Sequence, residues 1–320
     1  MASEFDLIRH HFSRPTRHTD LAGGDDAALW QPSPGHQLAV STDMLVEGRH
    51  FFAGADPTDL GWKSLAVNVS DLAAMGATPR WALLALAVPD ADADWLAAFA
   101  DGFYACAEAF GVDLVGGDTT RGPRNLSITI CGEVPVGEAI RRDGARAGDD
   151  LWVSGQPGRA ALALWHLRDR LPLAPAHRDA CLAALHRPQP RTALGLALRG
   201  RASAMLDVSD GLLGDLGHLL DASAVGARID AIRLPDAALL AACGDAERAR
   251  QACLAGGDDY ELLFTAPVAQ RDAIAALGPA LALPLHRIGT LTAPAEGLTL
   301  RAADGTSTAL ARAGFDHFTA

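Results

Sequence analysis

Residues 56–77 constrain the fold most, because they predict a long helix that is apolar around most of its circumference. Asp56 is a favourable N-cap, and Pro57 suits the first helical turn, where a missing N–H group costs nothing. Gly76 is expected to end the helix about five turns later. A helix with so few polar positions should be buried on most sides.

One polar stripe crosses this helix. Ser64, Asn68 and Asp71 follow one another at helical spacing and therefore share a face. A half-exposed helix at the edge of a domain explains the stripe as well as a functional site does. A buried carboxylate, however, is costly unless it is paired or binds a metal ion, which makes Asp71 a candidate metal ligand.

Aspartates recur at comparable points along the chain. Most stand at the end of a predicted strand or in a glycine turn, and such positions face clefts in α/β folds. They are Asp25, Asp26, Asp43, Asp118, Asp207 and Asp210. Any one of them alone is more typical of a cap or a turn. Together with neighbouring hydroxyl and amide oxygens, and without clustered His or Cys, the set indicates several Mg²⁺ ions bridging one polyphosphate.

Phosphate needs other ligands as well, because the sequence has no GxxxxGK[ST] loop and no GxGxxG motif that opens a helix after a strand. The segment GGDTTRG, residues 116–122, follows a predicted short strand at 112–115. Its glycines permit close approach to the backbone, and the amides before Asp118 are predicted to form a small anion-binding nest. Arg142 lies in the polar segment 141–155, which we expect to join two domains; it is either a phosphate ligand or a solvated linker residue.

Composition restricts the class of partner. The chain is 49% hydrophobic, and no apolar run reaches the ~18 residues that a bilayer-spanning helix needs. Five scattered cysteines without a CxxC pair are typical of reduced thiols in the cytoplasm. A formal net charge of −12 argues against a nucleic-acid surface. We therefore expect a cytoplasmic protein with neither a nucleic-acid nor a membrane partner.

Six segments, taken in order, carry a resemblance to a known family. They are GGDDAAL, STDMLVEGRHF, GWKSLAVNVSDLAAMGA, GGDTTRG, DVSDGLLGDLGH and GGDDYELLF. Together they resemble the thiamine-monophosphate kinases, in the superfamily of aminoimidazole ribonucleotide synthetase and selenophosphate synthetase. The resemblance implies a mixed α/β (α+β) fold of two domains. Residues 1–140 would form a sheet-plus-helices domain that binds ATP and Mg²⁺ and joins a homodimer, and residues 141–320 an α/β domain that completes the active site.

The resemblance also implies an activity: phosphorylation of thiamine monophosphate to thiamine diphosphate, by direct in-line transfer from ATP with several Mg²⁺ ions. Its implied catalytic residues are Asp71, Asp118, Asp207 and Asp210. The implied Mg²⁺ ligands are Asp26, Ser41, Thr42, Asp43, Asp71, Asp118, Asp207 and Asp210. ATP would contact Gly117, Asp118, Arg142, Ser209 and Tyr104. Thiamine monophosphate would contact His50, Asp258 and Phe315.

Two points stay open at the level of sequence. The family usually has GGEDYEL where this chain has GGDDYEL, so Asp258 keeps the charge but is one methylene shorter. Other functions also fit an acidic cluster of this kind. They are another ATP-using synthetase of the superfamily, a two-metal phosphohydrolase and a non-catalytic sensor of Mg-nucleotide.

Overall fold

The computed structural model describes residues 4–311, except for the side chains of residues 4 and 5. The chain divides into two compact units. Residues 4–72 and 77–137 form the first unit, and residues 73–76 and 138–311 form the second. No helix within residues 4–311 is long and apolar enough to cross a membrane.

The first unit contains one four-stranded sheet with the strand order β1-β4-β2-β3. Strand β4 pairs antiparallel with β1 and with β2, whereas β2 and β3 are parallel. The elements are α1 (Glu4–His11), β1 (His36–Val46), α2 (Pro57–Ala74), β2 (Thr78–Val88), α3 (Ala93–Phe110), β3 (Asp113–Arg121) and β4 (Asn125–Pro135).

The two faces of this sheet differ in exposure. Ile128 and Ile130 of β4 are buried on the face that receives the helices. On the other face of β1, Val40 is 61% exposed and Met44 is 55% exposed. The first unit therefore keeps an open apolar sheet face within the described chain.

The predicted N-cap of the long helix is confirmed. The Asp56 carboxylate accepts hydrogen bonds from the amides of Thr58 and Asp59 at 2.9 and 3.0 Å, and α2 begins at Pro57. A cap of this type satisfies amides that the first helical turn leaves without partners, which fixes where the helix begins.

The segment GGDTTRG differs from its prediction. We expected a strand that ends at Val115 and a glycine nest beyond it, but β3 runs extended as far as Arg121. Gly117 explains the difference, since a Cβ at this position would collide with the carbonyl oxygen of Leu84 in β2. The glycine therefore permits close pairing of two strands, and the predicted nest is wrong because its amides lie in a strand.

The second unit contains a seven-stranded sheet with the order β11-β10-β7-β9-β5-β8-β6. Its strands are β5 (Asp150–Ser154), β6 (Ala204–Val208), β7 (Gly226–Asp230), β8 (Glu261–Ala266), β9 (Leu285–Thr292), β10 (Leu298–Arg301) and β11 (Ser307–Ala309). Its helices are α4 (Arg159–Leu167), α5 (Pro175–His186), α6 (Thr192–Ala197), α7 (Leu212–Ser223), α8 (Ala237–Cys243), α9 (Ala246–Ala255) and α10 (Arg271–Ala280). A buried core that includes Leu151, Leu206 and Leu263 joins sheet and helices. The protein thus has the predicted mixed α/β architecture.

Candidate active site

Strand β1 and helix α2 bring together part of the predicted acidic set. The Ser41 hydroxyl donates a hydrogen bond of 2.5 Å to the Asp71 carboxylate. The backbone amide of Asp43 donates to the side-chain oxygen of Asn68 at 3.1 Å. Ser41 and Asp43 share a face of β1 because they are two residues apart. The polar stripe of α2 thus faces this strand and places Asp71 beside the predicted ligands of β1.

Thr42 lies on the opposite face of β1. Its hydroxyl donates to the carbonyl oxygen of Ile128 at 3.0 Å and accepts from the Thr129 hydroxyl at 3.2 Å. Strand alternation separates its side chain from those of Ser41 and Asp43. The structure therefore does not group the Thr42 side chain with these two predicted ligands.

A second group forms where the loop at residues 21–29 meets β3. Leu21 and Leu29 pair across this loop, and Gly23 lies against Gly116. Asp118 is exposed on β3, two residues beyond Gly116. Asp26 is also exposed, and its amide donates to the Asp25 carboxylate at 2.9 Å. The segment GGDDAAL is therefore packed against the segment GGDTTRG within the first unit.

His50 lies in a turn directly after β1. Its Nδ1 atom accepts a hydrogen bond of 3.0 Å from the backbone amide of Val46. An acceptor nitrogen carries no proton, so the ring proton of the neutral tautomer lies on Nε2. The turn thus fixes the tautomer of the residue predicted to contact thiamine monophosphate.

Tyr104 is buried in α3. The Arg14 guanidinium lies 3.8 Å from the centre of its ring. Burial raises the pKa of the phenol to about 12, although the nearby Arg14 charge lowers it. Within the described chain its hydroxyl has no hydrogen-bond partner. A nucleotide contact for Tyr104 remains a prediction.

In the second unit, the segments DVSDGLLGDLGH and GGDDYELLF meet at one end of the sheet. Strands β6 and β8 are antiparallel neighbours, with Val208 opposite Glu261. The Asp258 amide donates to the Ser209 carbonyl oxygen at 2.8 Å. A Cβ at Gly257 would come within 2.6 Å of that same oxygen. The loop that carries Asp210 and the loop that carries Asp258 are thus joined through their backbones.

Asp215, which we did not predict as a site residue, holds the first of these loops. One of its carboxylate oxygens accepts hydrogen bonds from the amides of Ser209, Asp210 and Gly211 at 3.1, 3.0 and 3.1 Å. Burial, and next the charge of Asp210, raise the Asp215 pKa to about 7, against the lowering effect of the three amide bonds. Asp215 therefore fixes the turn between Asp207 and α7.

The structure does not test the predicted ligand contacts of Arg142 and Phe315. Arg142 is exposed, and its carbonyl oxygen accepts a hydrogen bond of 2.6 Å from the Ser223 hydroxyl. Phe315 lies outside the described residues. Their contacts with ATP and thiamine monophosphate stay predictions.

The donors in these groups suit Mg²⁺ in one particular way. Within residues 4–311, no three side chains of His, Cys, Asp or Glu are close enough to hold an ion by themselves. Mg²⁺ is usually bound by one or two carboxylates, with water and substrate phosphates as the other ligands. Pairs of oxygen donors such as Ser41 with Asp71 fit that chemistry, whereas a closed protein cage does not.

Comparison with known proteins gives a consistent result over nearly the whole chain. The family model described as "AIR synthase related protein, N-terminal domain" matches residues 24–134, and the corresponding C-terminal domain matches residues 146–300. Thiamine-monophosphate kinase of Escherichia coli (strain K12) is 45% identical over 320 residues, which cover 98% of both chains. That of Bacillus subtilis (strain 168) is 33% identical, covering 98% of this chain and 99% of the relative.

Solved structures agree. The crystal structure of thiamine-monophosphate kinase from Stenotrophomonas maltophilia K279a has a TM-score of 0.84 and 49% identity, covering 91% of this chain and 92% of that one. A structure of AaThiL complexed with AMPPCP and TMP has a TM-score of 0.77 and 29% identity, covering 98% and 96%.

Proposed function

The chain belongs to the thiamine-monophosphate kinases, within the AIR synthase related family, and we propose how its residues carry out the reaction. It is a thiamine-phosphate kinase that uses ATP to phosphorylate thiamine monophosphate. Similarity along 98% of the chain carries this conclusion, since both units are matched. The roles of individual residues are proposals, supported by the groupings at β1 and α2, at β3, and at the ends of β6 and β8.

Transfer is direct and in line. The acceptor is a phosphate monoester, which is already an anion at neutral pH, so its oxygen needs no strong general base. The obstacle is repulsion between two polyanions, and positioning with electrostatic stabilisation overcomes it. No residue of the chain becomes phosphorylated.

The Mg²⁺ ligands are the eight residues proposed from sequence, and bound Mg²⁺ would neutralise the phosphate charge that develops during transfer. Asp71 orients toward β1, where the Ser41 hydroxyl fixes one of its carboxylate oxygens. Thr42 is the weakest of the eight, because its hydroxyl is bonded within the sheet. Asp207 and Asp210 would hold ions from the second unit.

ATP and thiamine monophosphate contact separate sets of residues. Gly117, Asp118, Arg142, Ser209 and Tyr104 serve ATP, and His50, Asp258 and Phe315 serve thiamine monophosphate. His50 donates from Nε2, because Val46 occupies Nδ1. A phosphate oxygen of the substrate is a suitable acceptor for that proton.

The enzyme is a homodimer that works in the cytoplasm without nucleic-acid or membrane partners. The open face of the first-unit sheet supports the dimer, since it exposes Val40 and Met44 on β1 and Leu83 on β2, on either side of Thr129 in β4. Exposed apolar side chains grouped on one face of a sheet are typical of an interface.

The decisive experiment measures ADP and thiamine diphosphate with and without thiamine monophosphate. Thiamine, an aminoimidazole precursor and selenide serve as alternative acceptors. We expect ADP to form only with thiamine monophosphate and in equal amount to thiamine diphosphate. Phosphate release from ATP without acceptor would instead support a two-metal phosphohydrolase. Rapid positional isotope exchange in ATP without acceptor would contradict direct transfer.

A further inference from the structure

The turn before β8 has an unusual backbone. Asp258 and Tyr260 both have positive φ angles, of 66° and 52°, and neither is glycine. Such residues are uncommon and carry strain that the surrounding structure must hold in place. They lie on either side of Asp259, in the motif GGDDYEL.

Asp259 supplies one anchor for this turn. Both of its carboxylate oxygens accept from the Gly158 amide at 2.8 Å, at the beginning of α4. Burial raises the Asp259 pKa well above its usual range, although part of the residue stays accessible to solvent. The Asp259 carboxylate therefore holds the backbone at the beginning of α4.

The backbone supplies two more anchors. The amides of Asp258 and Tyr260 donate to the carbonyl oxygens of Ser209 and Val208, both at 2.8 Å. Bonds on three successive residues explain how two left-handed conformations persist on either side of Asp259. The turn is thus fixed to the same loop that carries Asp210.

The side chains at either end of this turn contact each other. The Tyr260 hydroxyl donates a hydrogen bond of 3.0 Å to the Asp258 carboxylate. The Tyr260 ring is buried, so packing around the ring fixes the position of its hydroxyl. A hydrogen bond to one oxygen restricts the orientation of a carboxylate, and the Tyr260 hydroxyl makes such a bond to Asp258.

We propose that Tyr260 is a positioning residue for thiamine monophosphate, which orients the Asp258 carboxylate toward the substrate. The inference rests on the proposed function, in which Asp258 is a substrate contact. Aspartate has one side-chain torsion fewer than the longer acid usual in the family. A single hydrogen bond from Tyr260 therefore fixes the orientation of its carboxylate more completely than it would fix that of glutamate.

A double-mutant cycle tests this inference. Tyr260→Phe removes only the hydroxyl, and Asp258→Asn removes the charge. We expect Tyr260→Phe to raise the KM for thiamine monophosphate about three- to tenfold, in the range for one typical hydrogen bond. The KM for ATP, kcat and Tm should stay close to wild type. Adding Tyr260→Phe to Asp258→Asn should change KM by less than about twofold, because the two residues act as one unit.

Thr299→Val is the matched control, since it removes a hydroxyl from β10 of the same unit and should leave every parameter unchanged. If Asp258→Asn leaves the KM for thiamine monophosphate unchanged, the proposed substrate contact is wrong and the inference falls with it. If Asp258→Asn raises that KM but Tyr260→Phe does not, only the positioning role is overturned. Additive effects in the double variant would also overturn it.

Discussion

The Ser41 hydroxyl lies 2.5 Å from the Asp71 carboxylate and joins strand β1 to helix α2. This contact links two motifs that are thirty residues apart in the sequence. It also shows how a mostly apolar helix keeps a carboxylate at its surface: the charge is directed at polar groups of the sheet. The proposed magnesium site of the first unit is built around this pair.

Asp71→Asn should nearly abolish turnover while the fold is retained. Asparagine has the size of aspartate and keeps an oxygen for the Ser41 hydroxyl, but it lacks the charge that would hold metal ions. We expect kcat to fall by much more than about tenfold, which corresponds to ~1.4 kcal/mol in the barrier. Asp59→Asn, in the first turn of the same helix, should keep near-normal kcat. An Asp71→Asn enzyme with over a tenth of the wild-type rate would exclude the metal role.

Gly117→Ala should destabilise the first unit strongly. A Cβ there would collide with the Leu84 carbonyl, and backbone atoms of a paired strand cannot move aside. Gly116→Ala is the matched control, because its Cβ would lie 3.4 Å from the Leu83 side chain, an ordinary contact. Thermal unfolding should show a drop of several degrees for the first variant and little change for the second. Equal Tm values would mean that β3 does not approach β2 so closely.

The sequence predicted elements well where local signals mark their ends. Asp56 and Pro57 locate the beginning of α2. The prediction of a glycine nest after residue 115 was wrong. A glycine pair that permits close strand pairing has the same local sequence as a glycine pair that forms a turn. Only the position of Leu84 in space distinguishes the two.

The sequence predicted the charged residues of the candidate site, but not the residues that hold them in position. Helical spacing grouped Ser64 with Asn68 and Asp71, yet the Ser64 hydroxyl bonds to the carbonyl of Gly61 in its own helix. The sequence did not identify Asp215 or Tyr260 as parts of the site. Its local pattern does not distinguish Asp215 from an ordinary helix residue, or Tyr260 from an ordinary core aromatic. The signal that could have found them is proximity, within the motifs DVSDGLLGD and GGDDYEL, to residues already proposed as ligands.

The ion pair of Asp150 predicts how stability depends on pH. Asp150 is buried at the start of β5 and accepts from Arg271 at 2.8 Å and from Arg287 at 3.1 Å. Burial alone would raise its pKa, but these two arginines outweigh burial and lower the pKa below its ordinary value. A lowered folded-state pKa gives stability that is present above the unfolded pKa of about 4 and is lost as the pH falls below it.

Asp150→Asn should therefore lower Tm by several degrees at pH 7 and weaken the fall in Tm between about pH 4 and pH 2. Thermal unfolding of both proteins across this range checks the prediction. Asp90→Asn is the control, since Asp90 is exposed in the loop that follows β2. Parallel Tm curves for wild type and Asp150→Asn would show that the pair contributes no acid sensitivity.

Asp258→Glu should separate substrate binding from stability. The longer acid is usual in the family, so the KM for thiamine monophosphate should fall or stay unchanged, with little effect on the KM for ATP. Asp258 has a φ of 66°, a region where aspartate is more common than glutamate, so Tm should fall slightly. A large rise in that KM would mean that the pocket has adapted to the shorter acid.

Magnesium should stabilise the folded protein beyond any effect of ionic strength. The proposed ligands place many carboxylates in a chain of net charge −12, and their repulsion opposes folding at neutral pH. Ions that bind only the folded state contribute on the order of 2.7 kcal/mol per site at about 100 Kd. Screening by salt also relieves repulsion, so NaCl of matched ionic strength is the necessary comparison.

The most direct test is therefore the Tm of wild type and Asp71→Asn with MgCl₂ plus AMPPCP, against NaCl of the same ionic strength plus AMPPCP. The account predicts a rise of several degrees with MgCl₂ for wild type, a much smaller rise with NaCl, and loss of most of the MgCl₂ effect in Asp71→Asn. Equal shifts from the two salts in the wild-type enzyme would contradict the claim that these aspartates bind magnesium for phosphoryl transfer.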